Sequence, residues 1–448
     1  MKNKIKELIN LNSEKMINSV KELVQIDSVI DEKTVSNSMP FGKGIDDALR
    51  KTLEIAKSLG FKTVYKDGYY GYAEVGDGEE LIGILGHIDV VPVGDESKWT
   101  YPPFSATEKD GYIYGRGTQD DKGPVVSCMY AVKALLDSGV DFNKRIRFII
   151  GGDEENLWRC ISKYRENNEE IPTMGFTPDS SFPVTNAEKS LVQFYLKGKG
   201  NSDINLKISG ALNAVPGEAV YEGNLADELS KKLDELNFDY VKNENKITVI
   251  GKRVHSASAD KGINAIERLC KALYELDVDS DVIKFVAELS DSIGSKIIPN
   301  CKDDVSGTLT LNLGELIINE EESILGYDSR IPVKFSIEDL EKAVKEKIEN
   351  YNLKYEEFDR LNSLYVSANS PLIKTMISVY EKETGLDGTP MSSGGATYAK
   401  ALDNCVAFGA MFPFDEKTEH QENERANIKN LIKASEIYAI SIYELLKI

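Results

Sequence analysis

A chain of 448 residues is longer than one ordinary domain and ample for a sizeable core. Its 74 acidic residues against 54 basic ones leave a net charge of -20, which argues against a nucleic-acid or anionic-membrane partner. The five cysteines, Cys128, Cys160, Cys270, Cys301 and Cys405, show no C-x-x-C spacing, so they read as free thiols in a reducing compartment and not as a zinc site. The N-terminus runs as a charged amphipathic pattern with no apolar signal core, and no segment approaches the roughly 20 apolar residues of a spanning helix, so a cytoplasmic protein is expected.

The first informative element is the apolar run Leu81 to Leu85, read as a strand that opens into Gly86-His87-Ile88-Asp89. If the extended geometry continues, His87 and Asp89 project to one side, and the carboxylate can hold the imidazole and fix its tautomer. Next comes the glycine-rich turn Gly115 to Gly123, with Asp120 at a strand-to-helix junction, Pro124 suited to a first helical turn and Gly139 to the helix end. The β-branched strand Arg145 to Ile150 runs into Gly151-Gly152-Asp153-Glu154-Glu155. Three adjacent acids raise one another's pKa, so this cluster needs full solvation or a cation. Phe176-Thr177-Pro178-Asp179 ends another short segment. Up to about Asp179 strands alternate with helical patterns, an α/β layer with candidate ligands at the carboxyl ends of its strands.

Between about Asn186 and Arg360 the pattern changes to polar segments with short strands, such as Lys246 to Ile250 and Gly307 to Leu313, and helices such as Ile337 to Tyr351. That stretch reads as an inserted α+β domain over residues 188–360, interrupting an α/β domain formed by residues 1–187 and 361–448. His255 precedes a helix with Ile266, Leu269, Leu273 and Leu276 at core spacing, and in isolation reads as a surface-loop histidine. Arg330 in isolation is a strand-edge arginine. The last acidic stop, Glu419-His420-Gln421-Glu422-Asn423-Glu424, lies near the C-terminus and must fold back to join the others. Two of the chain's three histidines, His87 and His420, thus stand within acidic clusters of the kind a paired metal site requires.

Gly86 to Pro92, Gly115 to Gly123, Asp153-Glu154-Glu155, Thr177-Pro178-Asp179 and His420 occur in an order that resembles the M20 co-catalytic metallopeptidases over nearly the whole chain. Within that clan the segments Pro40 to Gly44 and Asp120 to Pro124 look most like the bacterial dipeptidases of the PepV and Sapep type. The resemblance implies a zinc-peptidase-like catalytic domain with a central mixed sheet flanked by helices, and an inserted lid of two ferredoxin-like halves in which one chain imitates a dimer, hence a monomer.

It also implies one metal held by His87 and Asp179, a second by Glu155 and His420, Asp120 bridging both, and Glu154 left as general base. A cis peptide is implied at Asp120-Asp121. Zinc leads as the metal, with manganese and cobalt accepting the same ligands. From the lid the resemblance brings His255 to the oxyanion and the substrate carboxylate, Arg330 to that carboxylate, Asn213 near the oxyanion, and Gly395, within Gly394-Gly395-Ala396-Thr397-Tyr398, to a substrate loop. Ala396 stands where the family often has a third glycine, and Asn156-Leu157-Trp158 where Ser-Gly-Trp is usual; neither change removes a ligand.

Two metal ions suit peptide hydrolysis, since metal coordination lowers the pKa of bound water from about 16 toward 7 and a second ion polarises the carbonyl. The expected activity is hydrolysis of unblocked dipeptides. An M20 amidohydrolase that removes an acyl group, such as a succinyl-diaminopimelate desuccinylase or acetylornithine deacetylase, would use the same metals and base. A non-catalytic peptide-binding protein is disfavoured because the base and every ligand are present.

Overall fold

The computed structural model describes residues 1–448. They form two compact units: Met1–Asn186 with Tyr365–Met391 and Thr397–Ile448, and Ala187–Leu364 with Ser392–Ala396. The short piece Ser392–Ala396 is thus grouped with the insert, although in sequence it follows the insert's last strand.

The first unit is built on a mixed sheet. Across it run the strands Lys62–Lys66, Tyr70–Val75, Arg145–Gly151, Leu81–His87, Met174–Thr177 and Cys405–Ala407. The first three pair antiparallel, whereas Leu81–His87 lies parallel to both Arg145–Gly151 and Met174–Thr177, and Cys405–Ala407 parallel to the latter. Every residue of Leu81–His87 is buried, as a central parallel strand covered on both faces requires. Register matters for function here, because His87 pairs directly with Gly151. The residues that follow the three parallel strands, Asp89, Asp153 to Glu155 and Asp179, therefore leave the sheet at the same edge.

Helices cover the sheet. Lys122–Ser138 is apolar and buried nearly all round, which marks an interior helix, and it packs against the helices Lys2–Val24 and Ile428–Leu445. It ends at Gly139, whose φ of 77° is the left-handed cap that glycine adopts without penalty. Gly86 records how closely this helix approaches the strand below it: a Cβ there would come within 2.2 Å of Val125 Cγ2. Gly86→Ala is expected to destabilise the fold by about 1–3 kcal/mol through overpacking, read as a lower urea midpoint; an unchanged midpoint would refute that account.

The second unit has a five-stranded antiparallel sheet in the order Leu206–Ile208, Thr310–Ile318, Glu322–Ile331, Ser190–Lys199, Lys354–Leu361, and a three-stranded sheet in the order Glu218–Glu222, Lys246–Ile250, Tyr240–Asn243. Both sheets and their helices close over one apolar core that includes Phe194, Val249, Leu269, Leu313 and Val344. The expected strand Gly307 to Leu313 is divided into a short Gly307–Thr308 piece and the long strand Thr310–Ile318. The helix expected over Ile337 to Tyr351 is α-helical to Ile348 and closes with a tighter turn, Glu349–Tyr351. Helix Ala265–Tyr274 starts on Asn264, whose side chain accepts the N–H groups of Ile266 and Glu267, and it ends before Leu276.

Candidate metal centre and active site

His87 is the last residue of its strand and is wholly buried. Its Nδ1 lies 3.0 Å from the main-chain oxygen of Asp89, and an Nδ1–H donated there leaves Nε2 free to face the site. The Asp89 carboxylate is farther from the ring, 3.5 Å from Nδ1. Its hydrogen bonds go elsewhere: Oδ1 accepts the N–H of Glu154 at 3.1 Å and Oδ2 that of Glu155 at 3.0 Å. Asp89 therefore anchors the two glutamates, while its peptide oxygen orients the histidine.

Asp120 stands between the two imidazoles. Its Oδ1 is 2.9 Å from His87 Nε2 and its Oδ2 is 2.8 Å from His420 Nε2. Glu155 Oε1 lies 3.0 Å from the same His420 nitrogen, and Asp179 Oδ2 3.9 Å from His87 Nε2. The residues thus sort into a His87–Asp179 side and a His420–Glu155 side with Asp120 touching both. Ligand atoms of His87, Glu154 and Asp179 fall within 4.8 Å of one another, and so do those of His87, Asp120 and Glu155. The peptide between Asp120 and Asp121 is cis. His420 itself adopts φ 61°, a left-handed conformation that costs a non-glycine residue energy and is commonest at functional sites.

Electrostatics match this crowding. Burial of Asp120 opposes its charge, but bonding to His420 and His87 outweighs that and holds its carboxyl below the usual range. His420 is raised to about 11, first by its bond to Asp120 and then by that to Glu155. Burial works against charge on His87, yet the carboxylates of Asp120 and Asp89 lift its pKa well above the ordinary value. Glu154 is pushed well up, first by burial and then by Asp179, Glu155 and Asp120, with His87 opposing. Burial likewise raises Glu155, against its bond to His420.

The roles of three contributors escaped the sequence reading. Asp153, the first acid of the cluster, is buried and needs no cation, because Arg159 grips it through Nε and Nη2, both at 2.7 Å. Asp121 lies under the centre, where one carboxylate oxygen accepts the His87 N–H at 3.3 Å. Tyr398 sets its ring edge-on to those of His87 and Trp158. Only an arginine six residues after Asp153 was visible as a signal, and such spacing is common in unpaired loops.

The second unit gathers its own set. His255 Nδ1 accepts the N–H of Ala257 at 3.1 Å, so the neutral ring carries its proton on Nε2. Burial, then the neighbouring Arg330, lowers its pKa and favours that neutral form. Asn213 is tied to the same loop, its main-chain oxygen accepting the Ser256 N–H at 2.8 Å. Asn312 fixes the flanking peptides by donating to Leu212 O at 2.7 Å and Ala214 O at 3.0 Å. Arg330 is clamped by buried Asp328, through Nε at 2.9 Å and Nη2 at 3.1 Å, and reaches Gly394 O through Nη1 at 3.1 Å. A Cβ on Gly394 would meet that of Ala257 at 2.8 Å, whereas at Gly395 the nearest atom is Ser393 Oγ at 3.4 Å. The carboxylate, imidazole and base candidates are thus brought together in one unit, and His255, Asn213, Arg330 and Gly395 are carried by the other.

A family model described as Peptidase family M20/M25/M40 matches residues 83–444. The chain belongs to that family and is a peptidase. It is 37% identical over 97% of its length, and 98% of the relative's, to "Putative dipeptidase YtjP" of Bacillus subtilis (strain 168). It is 34% identical, over 98% of its length and 99% of the relative's, to "Putative dipeptidase SAB1611c" of Staphylococcus aureus (strain bovine RF122 / ET3-1). Among solved structures, the di-peptidase Dug1p from Saccharomyces cerevisiae superposes with a TM-score of 0.62 at 16% identity, covering 100% of this chain and 99% of that one, a likeness of fold.

Membership implies divalent metal ions, and the residues fit them. His87 Nε2 and Asp120 Oδ1 are both buried and face each other at 2.9 Å, an imidazole nitrogen and a carboxylate oxygen placed where a cation could take both. Imidazole and carboxylate donors suit zinc, cobalt and manganese alike.

Proposed function

We propose that the protein is a metal-dependent dipeptidase that hydrolyses unblocked dipeptides. The observation that carries this reading is Asp120, with one carboxylate oxygen on the His87 imidazole and the other on that of His420, beside a half-buried Glu154. His87 and Asp179 would hold one ion, Glu155 and His420 the other, and Asp120 would bridge them, with zinc favoured. When bound, the ions supply Lewis acidity that acidifies a water and polarises the peptide carbonyl.

The chain's own side chains do the rest. Glu154, its N–H fixed by Asp89, takes the proton from the attacking water on its carboxylate and passes it to the departing amine nitrogen. His255, with Nδ1 occupied by Ala257, offers Nε2–H to the carbonyl oxygen as negative charge develops there. The Arg330 fork, oriented by Asp328, would bind the substrate carboxylate, with Asn213 and Gly395 as further substrate contacts. The names of the two bacterial relatives support a dipeptide substrate. No helix is long and apolar enough to cross a membrane, and all five cysteines are free and buried, both in keeping with a cytoplasmic enzyme. We take the working form to be a monomer.

The test is hydrolysis of free dipeptides beside their N-acetylated forms and N-succinyl amino acids by metal-loaded protein, with a chelator control. Cleavage confined to the free dipeptides is the expected result. Cleavage of the acylated compounds alone would replace the reading with a deacylase.

A further inference from the structure

The buried Glu424 lies four residues beyond His420, and its carboxylate is spent almost entirely on the turn that carries Asp120. Oε1 accepts the N–H groups of Gly117 at 3.0 Å, Gln119 at 2.9 Å and Asp120 itself at 3.4 Å. Oε2 accepts Arg116 Nη1 at 2.7 Å. The main chain joins in, Gly115 N–H donating to Glu424 O at 2.9 Å. Arg116, also buried, extends the brace by donating to Gln421 O and, through Nη2, to Pro92 O, each at 3.2 Å. Three segments distant in sequence are thereby cross-tied: the loop after His87, the turn before Asp120 and the stretch from His420 to Glu424.

We propose that Glu424 is a positioning residue, a buried carboxylate that locks the Asp120 turn to the His420 segment and so presets the separation of these two ligands before any cation arrives. The inference rests on the reading of Asp120 and His420 as ligands. A carboxylate held away from water is tolerable only when its lone pairs are filled, and here they are filled by three backbone N–H groups and a guanidinium. Such a clamp removes freedom from the loops it joins. His420 is an exposed residue in a left-handed backbone conformation, a placement that the neighbouring clamp supports. Hydrogen-bonded supporters of metal ligands typically govern affinity by about 10- to 100-fold.

Chelator-stripped wild type, Glu424→Gln and Asp120→Ala are titrated with Co²⁺ alone, following its visible absorption and the bound metal. Glu424→Gln is expected to bind Co²⁺ about 10- to 100-fold more weakly, with a changed absorption envelope that loss of global stability would not produce. A second measurement needs no variant: amide hydrogen exchange of stripped wild type over 116–121. Protection at Gly117 and Gln119 without metal is expected. Wild-type Co²⁺ affinity in a folded Glu424→Gln protein, or exchange at unstructured rates until metal is added, would overturn the proposal. If Glu424→Gln does not fold, the exchange result decides alone. Unaltered Co²⁺ binding by Asp120→Ala would instead remove the ligand reading on which the proposal stands.

Discussion

Glu154→Ala is expected to lower kcat for dipeptide hydrolysis by about 100- to 10,000-fold, the usual contribution of a positioned general base, while leaving bound metal nearly unchanged. In free-energy terms that is about 3–5 kcal/mol of transition-state stabilisation. The expectation follows from position. Glu154 and Glu155 leave the sheet edge as neighbours with their N–H groups fixed on the two oxygens of Asp89, so their side chains must diverge. Glu155 is drawn to His420, 3.0 Å away, whereas Glu154 is left among carboxylates. Burial and then Asp179, Glu155 and Asp120 raise its pKa, and cations brought into the centre act in the opposite sense. A carboxyl balanced between those influences is suited to take up and release a proton near neutral pH. Metal analysis alongside turnover makes the test specific. Because Glu154 also lies within 4.8 Å of ligand atoms on His87 and Asp179, loss of one equivalent of metal in the variant would make it a ligand and take the base assignment away.

Much of the centre was legible because His87, Glu154, Glu155 and Asp179 stand at or just after strand ends. A β-branched or apolar run followed by glycine and an acid announces a strand and what stands at its carboxyl end, and the parallel register of Leu81–His87 with Arg145–Gly151 turns those separate announcements into one site. The same logic found Gly139, where glycine ends a helix. What stayed hidden was every decision made by a distant partner. The local pattern His87-Ile88-Asp89 pointed the aspartate at the imidazole; in the fold its carboxylate goes to the Glu154 and Glu155 amides, more than sixty residues on, and its peptide oxygen serves the histidine. The acidic triplet looked like a single charge problem, yet Asp153 is neutralised by Arg159 and only its two neighbours face the centre. Asn312 and Asp328 were silent as well, since a polar residue inside a strand has no periodicity to distinguish a peptide clamp from a surface position.

Asp120→Ala is expected to abolish tight binding of both metal ions and to cut activity by well over the about 100-fold that loss of a supporting hydrogen bond can cost a metal site. Its carboxylate is the one group that touches both imidazoles, so its removal takes a donor from each side at once. The variant has a signature independent of turnover. In chelator-stripped wild type at pH 8, His420, raised to about 11 by Asp120 and Glu155, holds its proton. A metal binds only the neutral ring, so metal uptake must expel that proton, and apparent affinity must rise with pH. Without Asp120 the largest influence raising His420 is gone and its pKa falls back toward the ordinary histidine value. Calorimetric titration with Zn²⁺ in two buffers of different ionisation enthalpy reads the released protons directly. Wild type should expel protons at pH 8 and Asp120→Ala fewer or none; equal release and equal affinity in the two would mean that Asp120 bridges nothing.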